Sequence, residues 1–305
     1  MFAIEFTGSD HTFLNSCYRH VLGRLPDAEG LASWMQALSA QHMRRSEIVR
    51  WMLSCDERLS LHPRPAVDFE SLVDRLYRAL LRPGCVALDV GAHAGRHSLP
   101  LLEVLTNGRS DVAPTSQLFL VEPLPWLARR LTENAQISRA TCPVTLFNGV
   151  LSDAAGHAQF SVALDRPEES ALRQKAAYDS ATKIELITVE VRRIDTWLGG
   201  LSRLDFIKID VEGAEYNVFC GAAQTIARLR PVIAFECGAR SLGGFGHAAN
   251  AVFDSFAQHD YQIFDILGTG LSRDAFAISM AYEHIWDYVA VPQEQADRVA
   301  NLLKW

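Results

Sequence analysis

Ala87-Leu88-Asp89-Val90-Gly91-Ala92-His93-Ala94-Gly95 decides how the rest of this chain reads. The apolar run from Val86 to Val90 has the length of a buried strand, and it meets a glycine turn and then a stretch of helical periodicity at about 96 to 106. A strand that turns on glycine into a helix opens a βαβ unit. In an open α/β sheet, the crevice at the strand carboxyl ends is where ligands bind. The spacing is D-x-G-x-x-x-G, and Arg96 occupies the place of the third glycine of a dinucleotide fingerprint. That glycine serves close helix-strand packing and the helix start serves a pyrophosphate, so the dinucleotide reading is weakened.

Outward from this turn, short apolar runs alternate with helical stretches. Strands are expected at 86–90, 117–122, 144–150, 204–210, 231–236, 261–266 and 287–292, with helices at about 96–106, 124–136, 213–229 and 247–259. Such alternation implies right-handed crossovers and a buried parallel sheet, hence an α/β, doubly wound (Rossmann-like), seven-stranded fold. Residues 153–198 differ, because HAQFSV and ELITVEVRRI read as extra β-structure framing a polar loop. Upstream, Phe13, Leu14, Cys17, Tyr18 and Val21 repeat at three and four, as do Ile48, Trp51, Met52 and Cys55, with a third helix around Leu31, Trp34 and Leu38. Two prolines in LHPRPAV (61–67) disfavour helix. The expected domains are therefore a small all-α module at 1–62, a linker and leading helix at 63–83, and the α/β domain at 84–305.

Composition sets limits. With 305 residues, 49% apolar, 21% charged and a net charge of -7, the chain reads as an ordinary soluble protein of two domains. The negative balance argues against nucleic acid as a partner. No apolar run has the length of a membrane span and the N-terminus lacks a secretory pattern, so the expected location is cytoplasmic. The six cysteines form no C-x-x-C pair, which indicates neither a zinc site nor a disulfide framework.

S-adenosylmethionine carries an amine, a carboxylate and a sulfonium but no phosphate, so Asp89 beside a glycine turn suits it. Glu122, closing the second strand, can accept hydrogen bonds from both ribose hydroxyls. Lys208-Ile209-Asp210-Val211-Glu212-Gly213-Ala214-Glu215 places three more carboxylates at the same sheet edge. Glu215 reads as a first-turn acid favoured by the helix dipole, and Asp210, ending a buried apolar strand, needs a partner or a task.

With these segments in hand, the chain resembles the FkbM methyltransferase family: ALDVGAHAG, VEP (121–123), NGVLSDAAG (148–156), IDTWL, IKIDVEGAE and FE (235–236) occur in its order and spacing. The resemblance implies S-adenosylmethionine as methyl donor and a hydroxyl acceptor, on a sugar, a polysaccharide precursor or a polyketide-like metabolite. Cofactor binding is then expected at Asp89, Gly91, His93, Gly95, Glu122, Ser152 and Asp153. His93 stands where the family has Asn, and both residues tolerate positive φ. The expected catalytic residues are Asp210, Glu212, Glu236 and His247, the last following the SLGGFG run. A further alternative has Asp210 and Glu236 hold a magnesium ion that lowers the acceptor pKa. Tyr18-x-x-x-Leu22-Gly23-Arg24-x-Pro26-Asp27 resembles a small helical domain of unknown function found in bacterial multidomain proteins, whose expected role is docking to a protein partner or a second subunit. Two rival readings are a nicotinamide-dependent oxidoreductase and a catalytically silent binding protein on the same fold.

Overall fold

In the computed structural model, residues 4–61, 67–106, 115–172, 183–282 and 284–304 are described. Most of the expected linker, and part of the polar loop within 153–198, lie outside them. Strands β1 (Val86–Val90), β2 (Gln117–Val121), β3 (Val144–Phe147), β7 (Phe206–Ile209), β8 (Val232–Glu236), β9 (Tyr261–Asp265), β10 (Gly270–Leu271) and β11 (Asp287–Pro292) form one sheet in the order β10-β9-β11-β8-β7-β1-β2-β3. β3, β2, β1, β7 and β8 run parallel, and β11 lies antiparallel to both β8 and β9. The sheet is thus mixed where alternation had implied a parallel one, and the two-residue β10 adds an eighth strand at its edge. A second sheet holds β4 (Val150–Leu151), β6 (Ile184–Arg192) and β5 (Gly156–Ala163) in that order. The expected strand 144–150 therefore splits, and its last residue leaves the main sheet to pair with β6.

β1 and β7 are buried at every position, as strands covered on both faces must be. On one face Ala87, Leu118, Leu120 and Phe206 pack against Leu72 and Leu76 of the helix Glu70–Leu80 and against Leu101 and Leu105 of the helix Ser98–Thr106. On the other face Leu88, Val90, Ile207 and Ile209 pack against Val218, Ile226 and Phe256. The N-terminal helices Asp10–Cys17, Ala28–Ser39 and Arg45–Ser54, with a π-helical turn at Tyr18–Leu22, put Phe13, Leu14, Ile48 and Met52 into the first of these clusters. All six cysteines are free. No described helix is long and apolar enough to cross a membrane.

Parallel register fixes which side chains share a face. Asp89 is opposite Lys208, and Lys208 is opposite Ala234. Side chains alternate along a strand, so Asp210 and Glu236, two residues further on, emerge on that same face at the carboxyl edge.

Candidate functional site

A cavity of about 360 Å³ opens at this edge, lined among others by Asp89, Gly91, His93, Glu122, Asp210, Glu212 and Glu236. Its floor is the glycine turn. Gly91 has φ +87°, and a Cβ there would lie 1.9 Å from the carbonyl oxygen of Asp210, so only glycine lets the turns after β1 and β7 meet. The amides of Gly91 and Ala92 donate to the Val121 carbonyl at 3.0 and 2.9 Å, which fastens the turn to the end of β2. His93 has φ +46°, in keeping with the tolerance expected of it.

Each acid at this end is partly satisfied and partly open. Asp89 is 1% exposed; its Oδ2 accepts from Ser98 Oγ at 2.6 Å, while Oδ1 has no partner. Glu122 Oε2 accepts from the His93 amide at 2.7 Å and Oε1 from the Leu124 amide at 2.8 Å. Burial pushes the Glu122 carboxyl up to about 7 against the pull of these two donors. His93 Nε2 is also buried without a partner. Unpaired polar atoms inside a cavity cost free energy until a ligand meets them, and an amine or hydroxyl donor fits Asp89 Oδ1.

The other half of the cavity is strongly acidic. Asp210 Oδ2 accepts from Lys208 Nζ at 2.9 Å. Burial lowers the Lys208 pKa, but Asp210, Asp89 and Glu70 more than offset it, so the amine is raised and stays an ammonium. Glu212 sits at φ +60° and Gly213 at +107°. Glu215 opens the helix Glu215–Gly221 as the first-turn acid expected, and its Oε1 also accepts from the amides of Val211 at 3.2 Å and Gly213 at 3.0 Å, closing the turn that presents Asp210. Burial pushes the Glu236 carboxyl well above its ordinary value, helped by Asp210 and Asp287.

Glu70 and Lys208, neither of them named as a site residue from the sequence, line this half, and Asp287 stands next to it across from Glu236. Glu70, in the first turn of the helix 70–80, lines the cavity and bonds to Arg96 and to His97 Nε2, the latter at 2.9 Å. Burial would raise its carboxyl, but His97, Lys208 and Arg96 hold it at about 2. Lys208 lines the cavity beside Asp210. Asp287 opens β11 directly opposite Glu236, and burial pushes it up to about 8. A lysine two residues before Asp210 and an acid heading an apolar strand were the available signals.

The lining does not include Gly95, Ser152, Asp153 or His247. Gly95, at φ +90°, packs toward Leu131 and serves the turn's geometry. Ser152 Oγ donates to Asp153 Oδ1 at 3.0 Å, which also accepts from Asn217 Nδ2 at 3.1 Å. His247 Nε2 lies 2.9 Å from Asn217 Oδ1, and its ring is 4.6 Å from that of Tyr216. Val150 and Leu151 of β4 line the cavity, and the chain leaves it at Ser152, which with Asp153 joins the Asn217 network. The cofactor and catalytic roles expected of these four residues stay proposals, with all four placed outside the cavity lining.

Comparison with known proteins gives two family matches: the Methyltransferase FkbM domain over residues 89–263 and the Domain of unknown function (DUF4214) over residues 2–61. The AMB antimetabolite synthetase AmbE of Pseudomonas aeruginosa is 27% identical over 73% of this chain and 12% of its own length. The 2-O-methyltransferase NoeI of Sinorhizobium fredii is 30% identical over 50% of this chain and 63% of its own. The chain thus spans less than two thirds of either curated relative. Among solved structures, methyltransferase FkbM from Methylobacillus flagellatus shares 17% identity, covering 93% of this chain and 60% of that one with a TM-score of 0.40.

Proposed function

The chain belongs to the FkbM methyltransferase family, and from that membership we propose that it moves a methyl group from S-adenosylmethionine to a hydroxyl of a sugar, polysaccharide precursor or polyketide-like metabolite. The observation that carries this reading is the cavity at the carboxyl edge of the sheet, whose two halves differ in chemistry. Asp89, Gly91, His93 and Glu122 make the donor half. There Asp89 Oδ1 suits the donor's amine and the free lone pairs of Glu122 suit its ribose hydroxyls.

The donor supplies an electrophilic methyl carbon on a sulfonium. The residues of the chain bind, align and take up a proton. Asp210 and Glu236 stand on the acceptor side, and either carboxylate is suited to receive the hydroxyl proton. Alignment of the two partners accounts for much of the barrier reduction. Glu70, Glu168, Asp210, Glu212 and Glu236 all line the cavity, against Lys208 and Arg96. Acceptor-only carboxylates receive hydroxyl donors well, which favours a neutral polyol over a phosphorylated or carboxylated acceptor. The printed name of the Sinorhizobium relative, a 2-O-methyltransferase, supports an oxygen as the methylated atom. In the same proposal the N-terminal module docks a protein partner or a second subunit, in keeping with Trp51, which is 52% exposed and edge-on to Trp34.

Calorimetric titration with S-adenosylmethionine and with S-adenosylhomocysteine tests the donor half. Saturable binding of both is expected, and absence of binding overturns the proposal. Methyl transfer from labelled donor to a panel of neutral glycosides then separates an enzyme from a silent binder.

A further inference from the structure

The acidic half of the cavity has more carboxylates than cations to meet them. Ligand oxygens of Glu70, Asp210 and Glu236 all lie within 4.8 Å of one another. Glu70 is answered by Arg96 and His97, and Asp210 by Lys208. Among the described residues the Glu236 carboxylate has neither hydrogen bond nor ion pair, although its backbone is paired with β11. Asp287, 5% exposed, stands opposite Glu236 in the antiparallel β8–β11 pair, so its side chain leaves the sheet on the same face. Its Oδ2 is buried with no partner. Asp287 is a second observation, independent of the cluster: a buried, unsatisfied carboxylate oxygen on the residue paired directly across from Glu236. Burying a charge unpaired is costly, so the pair must take up a cation or a proton.

We propose that Glu70, Asp210 and Glu236 bind one hard divalent cation, magnesium or manganese, with Asp287 supporting Glu236 from the second side. The inference deepens the methyltransferase reading, on which it rests for its role, and adds two residues, Glu70 and Asp287, that lie outside the matched family region 89–263. All candidate ligand atoms are carboxylate oxygens, which suits magnesium and manganese and not a metal preferring nitrogen or sulfur. Magnesium–oxygen bonds are about 2.0–2.1 Å, so opposed ligands stand about 4.2 Å apart. The three oxygens stand within 4.8 Å of one another, close to that spacing. On the acceptor side, such an ion would hold a hydroxyl oxygen beside the donor and ease loss of its proton.

Manganese alone is the probe. The full chain is titrated with Mn2+ while the free ion is followed by electron paramagnetic resonance, with magnesium as competitor. Saturable binding at one site, displaced by magnesium, is expected. Glu236→Gln and Asp210→Asn should each weaken it about tenfold or more, and Asp287→Asn about tenfold. Glu168→Gln, a cavity acid outside the cluster, should leave it unchanged. Thermal melting and S-adenosylhomocysteine titration of every variant separate loss of the site from loss of the fold. No saturable Mn2+ binding, or binding that survives both Glu236→Gln and Asp210→Asn, overturns the site. So does an infrared carboxylic-acid band at neutral pH that persists with Mn2+ and vanishes in Glu236→Gln, since a proton then occupies the place of the ion. Loss of homocysteine-analogue binding by the unmodified chain sinks the methyltransferase reading and leaves the metal result standing.

Discussion

Glu122 already spends one lone pair of each oxygen on a backbone amide, from His93 and Leu124. Ribose hydroxyls donating to the remaining lone pairs favour the ionised form. Because burial sets the free carboxyl at about 7, cofactor binding near and below that pH must release a proton. Affinity for S-adenosylhomocysteine is therefore expected to strengthen from pH 6 to 8. Glu122→Gln should weaken binding and flatten that dependence, and a pH-independent affinity in the unmodified chain would count against the assignment. The sign for stability runs the other way. The folded pKa lies above the ordinary 4.5, so the stability Glu122 lends without ligand is complete below about 4.5 and lost as pH rises through about 7. Asp210 belongs to the opposite half. Asp210→Asn is expected to lower kcat about a hundred-fold or more while changing cofactor affinity by only a few fold. The Lys208 contact offers a purely structural role for Asp210. In that case Asn would lower the melting temperature and leave kcat intact, so both quantities must be measured.

The two turns at the strand ends work as one piece. Gly91 approaches the Asp210 carbonyl so closely that an added Cβ meets backbone that cannot move aside, and its φ of +87° adds strain for any L side chain. Gly91→Ala is expected to cost more than about 2 kcal/mol and to abolish cofactor binding. Gly95 has a similar φ, +90°, but its Cβ would meet only the flexible end of Leu131 at 3.0 Å. Gly95→Ala should therefore cost nearer 1–2 kcal/mol and retain binding; equal losses in urea melts of the two variants would refute the interlocked turns. At this scale the sequence is legible where chemistry is local. Strand β1, the D-x-G-x-x-x-G turn, the positive φ of His93 and the acid closing β2 all follow from residues within a few positions of one another. The reversed direction of β11 did not, because apolar runs in parallel and antiparallel strands look alike. Nor did Glu70 and Asp287, since periodicity marks a helix face or a strand without saying which sheet edge it will cover. The course of the chain after Phe147 was no more legible, since β4 changes sheets, a choice no local pattern records.

At the level of the whole molecule, the matched N-terminal region 2–61 and the catalytic sheet meet in one apolar cluster, with Phe13, Leu14, Ile48 and Met52 joined to Phe264, Ile266 and Val289. A charged contact crosses the same boundary. Arg50 reaches Asp265 at the end of β9 through two bonds of 2.6 and 3.0 Å and adds one to Thr269 Oγ1. Asp265 is 0% exposed and Arg50 35% exposed on its side chain. We propose 1–62 as a structural module with its own helices, yet one whose removal takes the arginine from Asp265 and leaves that carboxylate the Thr269 amide at 3.1 Å. Breaking one side of a buried pair costs about 3–5 kcal/mol, and partial exposure of the arginine moves this chain toward the lower end. Arg50→Ala is accordingly expected to lower unfolding stability by about 2–3 kcal/mol. Adding Asp265→Asn should recover much of that loss, because the amide no longer carries the uncompensated charge. Cofactor affinity should stay within a few fold in both variants, since neither residue lines the cavity. Melting curves that leave Arg50→Ala as stable as the unmodified chain would mean that the apolar cluster alone joins module to sheet. A double variant no better than Arg50→Ala would locate the loss in the Thr269 contact and the buried arginine stem instead of the Asp265 charge.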